Sequence, residues 1–189
     1  VKIKGKINFV LGCVYTKNFV SVVVPCLNLL KDDAWKHKED VVALVGEFLY
    51  DETCKNVAWS HGVVSVLIGL LKKNDKEVTL WSLHSLAVFV RVGSGDKDGR
   101  IAAVSAEKPY PWLMILLRSN DDEICRQVCH FIIEFGSLPY VREALADAGC
   151  VNILRSVATQ AKATQAVDTA LYTLSRVFNQ GFRSVFDYM

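Results

Sequence analysis

The sequence has no C-x-x-C pair, no glycine-rich nucleotide loop and no G-x-S-x-G or H-E-x-x-H motif. Each absence removes a class of protein. Zinc ribbons and thioredoxin-like redox centres need the first, nucleotide-binding folds the second, serine hydrolases and zinc proteases the last two. A strong charge of one sign is also missing. The formal net charge is +2, with 22% charged residues. Nucleic-acid binders and polybasic membrane anchors carry a concentrated basic excess, and the three lysines of "VKIKGK" do not amount to one. Disorder is excluded by composition, because 51% of the residues are hydrophobic. A chain of 189 residues can bury one substantial core.

Long unbroken apolar runs are absent too. The greasiest stretch, Ile7 to Leu30, carries Lys17 in its middle with Asn8, Asn18 and Pro25 around it. A spanning helix needs about 20 consecutive apolar residues, so the expectation is two buried helices with a polar joint and no membrane insertion. The stretch lacks a small-residue cleavage site, so no signal peptide is expected. The sequence starts at Val1 without Met, as a fragment would.

Six cysteines are present: Cys13, Cys26, Cys54, Cys125, Cys129 and Cys150. Their scatter reads as buried free thiols in a reducing compartment, which places the protein in the cytoplasm or nucleus. Cys125 and Cys129 share a helix face near His130. A tetrahedral metal site needs four ligands and no second cluster exists, so packing is expected and neither metal nor cofactor is assigned. "GSGDKDG" (Gly93 to Gly99) lacks both the ending of a phosphate loop and the ligand spacing of a calcium loop, and reads as a flexible connection. "KDDAWKHKED" (Lys31 to Asp40) is a mixed-charge turn whose Trp35 either anchors a partner or tucks back onto the helices.

What the sequence does contain is a repeat. "LLKKNDKEVTLWSLHSLAVF" (Leu70 to Phe89) aligns without gaps on "LLRSNDDEICRQVCHFIIEF" (Leu116 to Phe135) and on "LLKDDAWKHKEDVVALVGEF" (Leu29 to Phe48). A degenerate fourth copy, Val157 to Phe178, aligns only with an insertion. Each copy reads as a helix, a polar turn and a longer helix. Asp75 is placed to cap the helix from about Glu77 to Val90, and "DDE" at Asp121 to Glu123 puts acids in a first turn. Short helical pieces precede: Cys54 to Gly62, Arg100 to Pro109 and Tyr140 to Cys150. Gly62 and Gly149 fall where one helix stops and the chain bends. One unit cannot bury its apolar face alone, whereas stacked units share a core.

"AWSHGVVSVLIGLLKKNDKEVTLWSLHSLAVF" and "VREALADAGCVNILRSV" resemble armadillo repeats, with HEAT repeats as the near neighbour. The resemblance implies an all-α fold: an armadillo-type α-solenoid, a right-handed superhelix of about four stacked three-helix units. The expected organisation is one domain, 1-189, with an N-terminal cap or partial repeat over 1-19, units at 20-50, 54-92, 100-136 and 140-180, and a tail at 181-189. Solenoids of this kind bind through a concave groove lined by the third helices. Armadillo nuclear-import receptors carry Trp there and Asn four residues later. Here the Trp-equivalent positions hold Ala43, His84, His130 and Tyr172, and the Asn-equivalents hold Glu47, Val88, Glu134 and Arg176. No Trp–Asn pair survives, which argues against binding of import signals.

The expected partner-binding residues are Trp81, His84, Arg126, His130, Glu134, Asp168, Tyr172 and Arg176. The competing reading makes His84 and His130 half-buried filler. Leu80, one turn before His84, belongs to the same row. The scattered histidines and serines make no readable catalytic dyad, so no enzyme is expected. The implied function is a non-enzymatic adaptor or scaffold that binds a protein or peptide. The alternatives are a co-chaperone of the Hsp70 or myosin type gripping a folded partner, and, behind it, a nucleic-acid-binding solenoid. Against the last, Glu47, Glu134 and Asp168 interrupt Arg126 and Arg176, so no phosphate track forms. Self-association through an uncapped end is a further expectation.

Overall fold

Aspartates mark where the helices begin. Asp51 accepts from the Cys54 N–H at 2.8 Å, Asp75 from Val78 at 3.1 Å and Asp96 from Gly99 at 2.8 Å. Asp121 accepts from Glu123 and Ile124 at 3.0 and 3.1 Å. Each satisfies amide groups that the first turn of a helix leaves without a partner. The computed structural model describes residues 20–91, 96–159 and 165–178, and every regular element among them is helical. In order these are α1 (Val20–Lys31), α2 (Lys38–Phe48), α3 (Glu52–Ser60), α4 (Val63–Leu70), α5 (Lys76–Val90), α6 (Lys97–Ala106), α7 (Tyr110–Leu117), α8 (Asp122–Phe135), α9 (Pro139–Asp147), α10 (Cys150–Ala158) and α11 (Gln165–Phe178).

Three times a first helix, a second and a longer third follow one another. The join between first and second is made the same way each time. Gly62 before α4 has φ +79° and Gly149 before α10 has φ +86°. The left-handed conformation reverses the chain there, and glycine adopts it without a Cβ penalty. In the middle triplet the left-handed residue is Lys108, with φ +51°.

The chain falls into two compact units that divide between Phe89 and Val90. In the first, α1 packs on α2, α3 and α4. Gly46 lets α2 lie close to α5: a Cβ there would sit 2.8 Å from Ser85 Oγ. Ser85 Oγ donates to the Val42 carbonyl at 3.3 Å at the same crossing. Trp59 of α3 meets Phe89 of α5 edge-on at 6.1 Å.

In the second unit, third helix stacks on third helix (α8 on α11) and second on second (α7 on α10). Phe131 and Phe135, one turn apart, stack at 5.1 Å, and Tyr110 of α7 lies 6.0 Å from Phe135. Gly136 ends α8 against α11, where a Cβ would lie 2.6 Å from Val177 Cγ1. Within this unit the repeated phrase acts as a packing instruction: the copy that ends in α8 supplies the apolar face that α11 covers.

Among the described residues no helix is long and apolar enough to cross a membrane. Cys26, Cys54, Cys125, Cys129 and Cys150 are free and buried. Burial pushes the Cys26 thiol up to about 11, and those of Cys54 and Cys150 up to about 12. Cys13, the proposed N-terminal cap, most of the Ile7–Leu30 stretch, the residues 92–95 of the Gly/Asp connection and the tail lie outside the described residues.

Two expectations need correction. The connection expected to run to Gly99 ends earlier, because Asp96 caps a helix that starts at Lys97. The turn expected over Lys31 to Asp40 ends at His37, because α2 begins at Lys38. Within that turn Trp35 is half-buried, and its Nε1 donates to the His37 carbonyl at 3.1 Å.

Candidate partner-binding surface

Third helices with one apolar and one polar face leave the polar face to solvent. In α11 the buried residues are Ala166, Val167, Ala170, Thr173, Leu174 and Val177, which turns Asp168 and Tyr172 outward. In α8 the buried set from Cys125 to Phe135 does the same for His130. Because α8 and α11 pack side by side, these outward residues meet. His130, Ile133 and Glu134 of α8 and Asp168, Thr169 and Tyr172 of α11 line one concavity of about 360 Å³. Tyr172 is 57% exposed within it.

The charge pattern of this surface is set by Arg91, which follows α5, and by Arg126 on α8. Glu134 pairs with Arg91 at 3.7 Å. His130 is exposed yet partly desolvated, and the desolvation, with the Arg126 guanidinium one turn away as the lesser cause, holds it below the usual imidazole value. His130 is therefore neutral at pH 7. Two carboxylates, a neutral imidazole and an exposed phenol share one hollow. Ile133 and Thr169 line it too and were not expected from the sequence. Their signal is positional: Ile133 is three residues from His130, and Thr169 three from Tyr172.

The structure does not gather all the expected residues there. Arg176 instead lines a depression of about 460 Å³ with Arg142, Glu143, Ala146 and Val151. Trp81 and His84 belong to the first unit, where the Trp81 ring meets His84 at 5.7 Å and Tyr50 lies 6.3 Å from His84. Tyr50, 55% exposed, was not expected from the sequence. It lies just beyond α2, where helical periodicity no longer points to a face. Val88 and Leu80, counted with the groove row, are buried at 4% and 8% exposure. Helix α5 is covered on nearly all sides, with Thr79, Ser82 and Ser85 buried as well.

For metal chemistry, Cys125 and Cys129 are buried, while His130 is exposed. These three do not converge. Among the described residues, one group of three candidate ligands comes together: His37, Glu39 and Asp40 at the start of α2, with ligand atoms within 4.8 Å of one another.

No family model matches this sequence, and no curated protein matches it. Solved structures do. An engineered protein superposes with a TM-score of 0.71 at 24% identity, over 82% of this chain and 62% of its own. A computationally designed armadillo repeat protein for modular peptide recognition gives 0.70 at 17%, over 82% and 63%. The armadillo-repeats-only protein of Plasmodium falciparum gives 0.67 at 14%, over 90% and 76%. The chain thus spans less than two thirds of the length of the first two. At these identities the likeness concerns the fold, and over most of its length this chain has the armadillo-type repeat fold.

Proposed function

We propose that this chain is a non-enzymatic protein-interaction module, an adaptor in the cytoplasm, and that the α8–α11 concavity holds a segment of its partner. The observation that carries the reading is Tyr172, an exposed aromatic in a hollow that Glu134 and Asp168 also line. Rigid aromatic side chains in concave surroundings are where binding energy concentrates. Asp168, with Glu134 shared with Arg91, favours a Lys or Arg side chain, which Tyr172 can also hold over its ring face. Neutral His130 adds no repulsion. Repeat proteins of this fold have been designed for peptide recognition, which supports a peptide as occupant. The five buried free thiols suit a reducing compartment.

The test is quantitative affinity purification with wild type, Tyr172→Ala and a Glu134→Gln/Asp168→Asn double variant, each checked for unchanged helicity. The expected result is a defined partner whose recovery falls at least tenfold with either variant. Recovery unchanged by both variants would refute the assignment.

A further inference from the structure

A second hollow lies in the first unit, on a face that the third helices do not form. It is bounded by α1, α4 and the turns that follow them, and measures about 370 Å³. Leu30, Val66 and Leu70 supply an apolar floor, and Lys31, Lys38 and Lys73 stand on its rim.

Asp33 is the carboxylate among those lining residues. Lys73 Nζ reaches its Oδ1 at 3.0 Å and Lys38 at 3.6 Å. Lys31 donates to the His61 carbonyl at 3.3 Å, and Lys38 to the Leu30 carbonyl at 3.0 Å. An ammonium has three N–H donors, so these contacts leave donors over. Three cations face one carboxylate, and the rim keeps an excess of positive charge. Asp33 itself shows what the rim accepts, since the lysines hold its carboxyl below the usual carboxylate value.

Gly69 is the second observation. It lies in the floor, within α4. Glycine weakens a helix relative to alanine. Packing does not ask for it, because a Cβ there would meet nothing within 4 Å. Positive φ does not ask for it either, since Gly62 and Gly149 are the glycines with that conformation among the described residues. A helical glycine facing open space on the floor of a hollow leaves room for something outside the fold to approach the backbone closely.

We infer that this hollow docks an acidic peptide segment of a partner protein, with an apolar side chain over Gly69 and flanking Asp or Glu carboxylates on Lys31, Lys38 and Lys73. The apolar floor distinguishes such a segment from a free inorganic anion, which has nothing to place there. The site is separate from the α8–α11 surface and opposite to it in charge preference, so one module holds two kinds of segment.

The experiment is selection of a displayed library of random 12-residue peptides on the wild-type protein. The best acidic sequence is then synthesised and its affinity measured. The expected result is enrichment of sequences with Asp or Glu around a Leu, Ile or Val. Their affinity falls at least tenfold with Gly69→Ala and with Lys38→Gln/Lys73→Gln, falls with added salt, and is unchanged by Tyr172→Ala. Gly69→Ala also raises Tm by about 2 °C, as removal of a helical glycine does in open surroundings. Three results would overturn the inference: no acidic enrichment, acidic peptides indifferent to both variants, or a fall in Tm with Gly69→Ala. A dimer that Gly69→Ala dissociates would assign the hollow to a second copy and overturn it too.

Discussion

The three left-handed joins predict opposite signs for mirror-image substitutions. Gly62, Lys108 and Gly149 occupy the same place, between a first and a second helix, with φ of +79°, +51° and +86°. No atom lies within 4 Å of a Cβ built on Gly62 or Gly149, so adding one there costs backbone strain and no clash. A non-glycine residue in the left-handed region costs about 1–2 kcal/mol. Against that, replacing glycine narrows the unfolded ensemble and returns about 0.4–1 kcal/mol. Gly62→Ala and Gly149→Ala are therefore expected to destabilise by about 0.5–1 kcal/mol each. Lys108→Gly should stabilise by about 0.5 kcal/mol, because the chain already bears the strain that glycine removes. Lys108→Ala keeps the strain and is the control, expected near zero. The assay is urea unfolding followed by far-UV circular dichroism, with midpoints compared at a common slope. If Lys108→Gly proves no more stable than Lys108→Ala, or if Gly62→Ala is neutral, the shared join is not the strained turn described here.

Three further expectations follow from the caps, the packing and the imidazole. Asp121→Ala removes the acceptor for two amide groups at the start of α8 and should cost about 1 kcal/mol in the same unfolding assay, with Asp121→Asn close to wild type. Gly136→Ala drives a methyl into Val177 and should cost about 1–3 kcal/mol, of which Val177→Ala recovers a measurable part in a double-mutant cycle. His130 titrates lower in the folded chain than its ordinary 6.5, so its contribution to stability is complete above that value and declines as pH falls below it. NMR should place its midpoint under 6.5, and Arg126→Ala should move it upward.

How much of this was written in the sequence depends on how evenly each helix is covered. Helices α8 and α11 have one clear apolar face, and the residues left over, His130, Asp168 and Tyr172, are the ones that meet in the hollow. Helix α5 is covered nearly all round, and its buried Thr79, Ser82 and Ser85 look exposed to any argument from polarity. Counting four residues on from His84 therefore reached Val88, which lies in the core. Gly62 and Gly149 were legible as stops because glycine announces a left-handed turn, whereas Lys108 does the same work without the residue type that signals it. Gly99 misled for the converse reason: a glycine beside aspartates reads as loop, but the Asp96 side chain caps a helix through it. The Lys31, Lys38, Lys73 hollow was invisible because its rim comes from two turns 40 residues apart in sequence, Asp33 and Lys73.

The central claim is that a partner segment lies between α8 and α11. A photo-crosslinking residue at position 169, inside the hollow, tests it against one at position 155, on the exposed side of α10. The account predicts a discrete adduct from position 169 that Tyr172→Ala abolishes and that position 155 does not give. Equal adducts from both positions, or none from position 169 while position 155 labels, would contradict it.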